Sequence, residues 1–310
     1  MTTLAYFKGE IVPIEQATIS INNNTLHYGT GCFAGIRAYW NDEHEQLYIF
    51  RVIDHYERFL ASARLLRCQF EQTAQDLADI TVDLLAREGW QQNVYIRPIA
   101  YKDDGIYKVQ LHGMPDEIAI FSQAIGDYLD TQSGLSVCVS SWRRVDDTAI
   151  PARGKINGAY VNSAMAKSDA VLSGYDEAIV LNQDGHVSEA TAANFMMVRG
   201  GVLVTPPISS NLLEGITRRS LIELAREELG IEVQERQIDR SELYLADEAF
   251  FCGTGVQMAF IGSIDHRPVG NGQRGPITQQ LGDLQIRILR GQEAKYRHWV
   301  TPVHQKEAVG

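Results

Sequence analysis

Lys155 lies in the run Pro151-Ala-Arg-Gly-Lys-Ile-Asn-Gly-Ala-Tyr160, a single lysine among small residues, and the stretch Ser188-Glu-Ala-Thr-Ala-Ala-Asn194 follows farther along the chain. An amine in such a setting can form an imine with a carbonyl cofactor, and a carboxylate such as Glu189 can hold a pyridine nitrogen protonated so that the ring accepts electrons. Together the two describe a pyridoxal 5'-phosphate enzyme. Gly154, Gly158 and Ala159 leave room for a flat ring, Tyr160 is near enough in sequence to hydrogen-bond a ring substituent, and Arg153 and Arg144 are candidates to lower the ammonium pKa. Taken alone, Lys155 reads equally as a helix-start lysine in a loop, and Glu189 as an exposed turn acid. The pairing is what lifts both.

A phosphate needs fixed N–H donors. Gly215-Ile216-Thr217 opens the helical pattern Gly-Ile-Thr-Arg-Arg-Ser-Leu-Ile-Glu-Leu-Ala, where unbonded amides and the helix dipole favour an anion. Arg51 and Thr254, the latter in Phe-Cys-Gly-Thr-Gly-Val256, add a charge and a hydroxyl. Gly29-x-Gly31-x-x-Ala34, with Asp54 downstream, satisfies a loose dinucleotide fingerprint, yet it leads into Gly-Ile-Arg-Ala-Tyr-Trp, which reads as a strand where that fingerprint requires a helix. A glycine turn permitting close backbone approach is the better reading. The eight histidines form no His-Glu-x-x-His motif and no cluster with cysteine, so no metal is expected, and there is no Gly-x-Ser-x-Gly elbow.

These groups need elements to carry them. Tyr6 to Val12, Arg37 to Trp40 with Gln46 to Phe50, and the β-branched and aromatic stretches Asn93 to Tyr101 and Glu117 to Ile125 predict strands. Asp54 is the expected cap of a helix carrying Phe59, Ala63, Leu66 and Phe70, and Leu77, Ile80 and Leu84 predict a second that stops at Gly89. The polar run Lys102 to Asp116 is long for a loop, and Gly126 to Gly134 is the expected connection between a domain over 1–125 and one over 135–310. In the latter, Leu135 to Trp142, Glu177 to Leu181, Phe195 to Val204 with a Gly200-Gly201 turn, and Glu248 to Cys252 read as strands. They alternate with helices at 158–173, 215–229 and 276–291, giving an α+β class with mixed or antiparallel sheets.

Size and charge agree with a two-lobed enzyme. The chain has 310 residues, 45% hydrophobic and 22% charged, which suits a globular protein of two ordinary domains. A net charge of -11 disfavours nucleic acid or an anionic membrane as partner. The four cysteines are scattered in apolar stretches, and the opening residues lack the basic-then-apolar order of a leader, so a reducing cytoplasm is the expected compartment.

In order along the chain, His27-Tyr-Gly-Thr-Gly-Cys-Phe-Ala-Gly-Ile-Arg37, Tyr95-Ile-Arg-Pro98, Gly154-Lys155 with Tyr160, Ser188-Glu189 with Asn194, Leu213-Glu-Gly-Ile-Thr217 and Gly253-Thr254 resemble the signature of class IV aminotransferases, most closely the branched-chain amino acid enzymes. The resemblance implies fold type IV: a smaller N-terminal α/β domain, an interdomain loop, and a larger C-terminal domain with a barrel-like sheet, as a homodimer or a multiple of one. It assigns Lys155 to the covalent link with pyridoxal 5'-phosphate, Glu189 to the ring nitrogen and Tyr160 to the ring hydroxyl. Arg51, Ile216, Thr217 and Thr254 fall at phosphate positions. Phe33, Tyr95 and Arg97 match pocket positions, Gly255 a backbone donor to the substrate carboxylate, and Tyr28 a residue that reaches the neighbouring subunit's pocket.

The activity implied is transfer of the amino group between L-leucine, L-isoleucine or L-valine and 2-oxoglutarate in ping-pong order, with Arg97 pairing the acceptor's distal carboxylate. Three stretches depart from the family pattern: Ala-Thr-Ala-Ala after Glu189, the loop Asp103 to Pro115, and Gly255-Val256. The alternative on the same scaffold is a transaminase for D-amino acids or (R)-primary amines, or mixed activity. A cofactor-binding module without turnover would need the lysine but not Glu189.

Overall fold

The structure, a computed structural model, describes residues 3–103, 105, 109–126 and 134–304. The chain begins with strands β1 (Leu4–Phe7) and β2 (Glu10–Pro13), helix α1 (Asn24–Tyr28), strands β3 (Cys32–Phe33), β4 (Ile36–Asn41) and β5 (Gln46–Phe50), helices α2 (Val52–Leu65) and α3 (Ala74–Glu88), and strands β6 (Val94–Lys102) and β7 (Asp116–Ala124). There follow β8 (Leu135–Arg143), α4 (Tyr160–Leu172), β9 (Glu177–Leu181), β10 (Val187–Ala190), β11 (Asn194–Arg199), β12 (Val202–Thr205), α5 (Ile216–Glu227) and β13 (Val233–Glu235). The last part holds β14 (Glu248–Gly253), β15 (Gln257–Ile264), β16 (Arg267–Pro268), α6 (Pro276–Leu289) and β17 (Val300–Pro302). Helices with antiparallel and mixed sheets make the α+β class that the patterns predict.

Two compact units divide the chain, the first from Met1–Gly126, Gly154–Gly158 and Ile286–Gly310, the second from Asp127–Arg153 and Ala159–Gln285. A linear division at 126–134 does not include the two returns to the first unit, and most of that expected connection, 127–133, lies outside the described residues. Among the described residues, the first unit holds an eight-stranded sheet in the order β17-β5-β4-β6-β7-β1-β2, with β3 on β6. Every pairing in it is antiparallel. Buried Tyr56, Phe59 and Ala63 of α2 and Leu77, Leu84 and Leu85 of α3 recur at helical spacing, but α2 ends at Leu65, so Leu66 and Phe70 of the expected face fall beyond it. Thr73 and Asp76 form a capping box at the start of α3, and Gly89 ends it in the left-handed region.

Helix α2 starts earlier than expected. Arg51 takes a left-handed φ of 44° as the strand turns, and its N–H donates to the Trp299 carbonyl at 2.6 Å, so the helix begins at Val52. Asp54 becomes a first-turn acid, where the helix dipole still favours it.

The second unit, again among the described residues, holds a nine-stranded sheet in the order β10-β9-β8-β15-β14-β11-β12-β13, with β16 on β15. Strands β8–β9, β8–β15 and β12–β13 run parallel and the others antiparallel. Ile179, Phe195, Met197, Phe251 and Ile261 lie in its buried core. Among the described residues no helix is long and apolar enough to cross a membrane, and no group of three or more His, Cys, Asp or Glu is placed to hold a metal ion.

Candidate active site

In the first unit, the glycine run after α1 is a landing strip for the lysine segment. Asn23 caps α1 by accepting from Thr25 N and Leu26 N, and Gly29 ends it at φ 66°. The chain then runs beside residues 155–158: Gly158 N–H donates to Gly29 O at 3.2 Å, Asn157 N–H to Gly31 O at 2.9 Å, and Phe33 N–H to Lys155 O at 3.0 Å. A Cβ on Gly29 would stand 2.9 Å from Gly158 Cα, which is why these backbones can meet only at glycine. The run leads out of a helix and into strand β3, the reverse of a dinucleotide loop. Lys155 N–H also donates to Ser62 Oγ near the end of α2, at 3.2 Å.

Phe33 has two cations beside its ring. Lys155 Nζ lies 5.1 Å from the centre of its ring and the Arg97 guanidinium 4.3 Å from the same centre. Arg97 donates to the Tyr95 hydroxyl at 2.9 Å, and that hydroxyl occupies the space a Cβ at position 35 would need, 2.2 Å away. Phe33, Tyr95, Arg97 and Lys155 are therefore brought together. Arg51 stands at the other end of α2 from Ser62, its guanidinium 3.8 Å from the Trp299 ring centre. Tyr28, at the end of α1, is 39% exposed.

In the second unit, Glu189 sits on β10 and is 4% exposed. Its Oε1 is 2.7 Å from the Arg144 guanidinium, and its Oε2 accepts from Asn194 Nδ2 at 2.9 Å and Leu213 N at 3.2 Å. Arg144 thus serves Glu189, and Arg153 pairs with Asp147 and Glu214. Asn194 donates again to Leu213 O at 2.9 Å, which ties β11 to the residues entering α5. Helix α5 opens on Gly215, whose Cβ would fall 2.0 Å from Asn194 Oδ1, and its first residues Ile216 and Thr217 are buried. Asn194 pairs in register with Cys252, so the turn bearing Thr254 and Gly255 follows at the same end of the sheet. Burial pushes the Cys252 thiol up to about 12, with Arg218 pulling it down and Glu189 raising it. Tyr160 opens α4, where Asn162 donates to the carbonyl of Arg143, next to Arg144. A Cβ on Gly255 would meet open space among the described residues.

Residues 31–264 match the family described as Amino-transferase class IV. The chain belongs to the class IV aminotransferases. It is 49% identical over 302 residues to a protein of Aquifex aeolicus (strain VF5) named probable branched-chain-amino-acid aminotransferase, with 97% of each chain covered. The crystal structure of a branched-chain aminotransferase from Thermoproteus uzoniensis with norvaline superposes with a TM-score of 0.94 at 42% identity, covering 98% of this chain and 100% of that one. The branched-chain amino acid aminotransferase of Thermobaculum terrenum in its PLP form, the holo-form, also gives a TM-score of 0.94, at 39% identity, covering 98% and 99%.

Pyridoxal 5'-phosphate is the cofactor of class IV aminotransferases, and the groups of this one fit it. The first unit offers an amine on a backbone-anchored segment; the second offers a buried ion-paired carboxylate and a helix start that, among the described residues, has no side-chain cap on its N–H groups. Sequence reasoning on this aminotransferase missed Ser62 as an anchor of the lysine segment and Arg144 as the partner of Glu189. It named Asn194 only as part of a motif. Asn194's position next to the strand that Glu189 precedes was the one available signal.

Proposed function

We propose that this aminotransferase moves the amino group between L-branched-chain amino acids and 2-oxoglutarate in two half-reactions of ping-pong order. The observation carrying the reading is the Phe33 ring with Lys155 Nζ and the Arg97 guanidinium both beside it, an amine for chemistry and a cation for a second carboxylate on one aromatic surface. Support comes also from the names of the relatives and from the norvaline, an amino acid with an apolar side chain, present with the Thermoproteus uzoniensis enzyme. When bound, pyridoxal 5'-phosphate supplies an aldehyde for the amino group and a ring that accepts the electron pair left as the Cα proton departs.

The chain's residues do the rest. Lys155 holds the cofactor covalently and, once released as a neutral amine, takes the proton from Cα and returns it at C4'. Glu189 keeps the ring nitrogen protonated, and Tyr160 bonds the ring hydroxyl. Arg51, with Ile216, Thr217 and Thr254, holds the phosphate. Phe33 and Tyr95 line the side-chain pocket, and the Gly255 N–H meets the substrate carboxylate. Arg97, oriented by the Tyr95 hydroxyl, pairs with the distal carboxylate of glutamate or 2-oxoglutarate. The working form is a homodimer or a multiple of it, in which the exposed Tyr28 reaches the partner's pocket, and the compartment is the cytoplasm.

The test mixes holoenzyme in turn with L-leucine, L-glutamate, D-alanine and (R)-1-phenylethylamine and follows absorbance as the cofactor passes to its amine form. L-leucine and L-glutamate are expected to convert it fast. Failure with L-leucine beside rapid conversion by D-alanine or the amine would overturn the substrate assignment.

A further inference from the structure

Glu189 has both carboxylate oxygens engaged by its own unit. Arg144 is on Oε1 at 2.7 Å, and Asn194 Nδ2 and Leu213 N are on Oε2 at 2.9 and 3.2 Å. A carboxylate accepts through both oxygens, and these contacts restrain each of them. Arg144 is itself fixed twice: besides the carboxylate, its Nε donates to Asn211 O at 3.0 Å, on the loop that runs into α5. The arginine side chain is 12% exposed and that of Glu189 6%, so the pair is screened little by solvent.

We propose that Arg144 is a positioning residue for the reaction: it holds the Glu189 carboxylate ionised and in one orientation toward the cofactor's ring nitrogen, and anchors that acid to the 211–213 loop. The inference rests on the reading of Glu189 as the ring-nitrogen partner. A buried carboxylate stripped of its counter-charge is costly; it rotates toward another donor or takes up a proton, and a protonated acid no longer supports a charged ring N–H. Asn194 cannot substitute, because it contributes a neutral amide to the other oxygen. The guanidinium supplies charge and two directed N–H bonds in a fixed plane, one to the acid and one to the loop.

Binding of two aldehydes to the apoenzyme tests this without turnover. Pyridoxal 5'-phosphate and its 1-deaza analogue carry the same aldehyde and phosphate and differ only at the ring nitrogen, so the ratio of their dissociation constants isolates what Glu189 contributes. Wild type is expected to prefer the natural cofactor by roughly tenfold or more, as a charge-assisted bond would give. Glu189→Gln should erase most of that preference, Arg144→Met should bring it within about threefold, and Arg144→Lys should retain more of it than Arg144→Met does. A residue that merely stabilises the fold would weaken both ligands alike and leave the ratio unchanged. Arg144→Met with the full wild-type ratio overturns the proposal. A wild type without preference, or Glu189→Gln with the preference intact, instead overturns the reading of Glu189. Should Arg144→Met not fold, Arg144→Gln, which keeps side-chain donors and removes the charge, decides by the same ratio.

Discussion

Gly29 meets two demands at one position. Its φ of 66° lies where a side chain is strained, and the Cβ it lacks would press to 2.9 Å on Gly158 Cα, a backbone atom that moves only if the lysine segment moves. Gly158 is different: a Cβ there would meet Gly29 O at 3.4 Å, an ordinary contact. Gly29→Ala should therefore lift residues 155–158 off the run 29–33 and lower cofactor retention and kcat/KM by roughly tenfold or more, while Gly158→Ala stays near wild type. Absorbance of bound cofactor after gel filtration, beside far-ultraviolet circular dichroism, checks both. Equal behaviour of the two variants would mean that the close approach does not set the position of Lys155.

Between elements, Glu242 ties the turn at Arg240–Leu245 to two neighbours: Arg199 at the end of β11, at 2.6 Å, and Arg236 just beyond β13, at 2.8 Å to its other oxygen. The Arg236 guanidinium bonded to it, helped by Arg199 against the cost of burial, holds this carboxyl below its ordinary 4.5. A depressed folded-state value means stabilisation that is complete above 4.5 and fades as pH falls through the folded value. Glu242→Gln should thus unfold at lower denaturant than wild type at pH 7, with the gap closing in acid; a gap that persists at low pH would place the effect in packing. The Glu242 links were not legible in the sequence, since they depend on which strands neighbour one another. What was legible had a local cause: the apolar and aromatic runs of β4 and β5 on either side of a polar loop, the helical spacing and Gly89 stop of α3, and the helix-opening Gly-Ile-Thr of α5. Strands β10, β13, β15 and β17 went unread because they are short or gain their meaning from distant partners, β17 from β5 and β15 from β8. Arg144 escaped for a similar reason. The register of β8 against β9 shifts between Val139 and Arg143, and an irregularity of that kind, which redirects the following side chain, leaves no periodic trace. Lys155 and Glu189 could be proposed from sequence because their chemistry stands out among small residues before any contact is known.

At the scale of the whole molecule, chain order and spatial order part company, since the last residues return to the unit that the first residues build. Strand β17 pairs with β5, Val303 N–H donates to Leu47 O at 2.9 Å, and Trp299 accepts the Arg51 N–H on its carbonyl while its ring lies under the Arg51 guanidinium. Trp299 is 4% exposed and packs on Phe50 and Tyr296, with ring centres 6.1 and 4.5 Å away. Removing so large a buried ring costs about 3–5 kcal/mol in general, through lost burial and the cavity left behind. It would also free the guanidinium proposed to hold the phosphate. Trp299→Ala should accordingly lower the denaturant midpoint and weaken cofactor binding together. Trp299→Phe, which keeps an aromatic face for Arg51, should lose part of the stability and little of the affinity. Titrating apoenzyme with pyridoxal 5'-phosphate separates the two effects: an affinity as weak in Trp299→Phe as in Trp299→Ala would mean that the indole itself, rather than an aromatic surface under Arg51, is what the returning segment contributes to the cofactor.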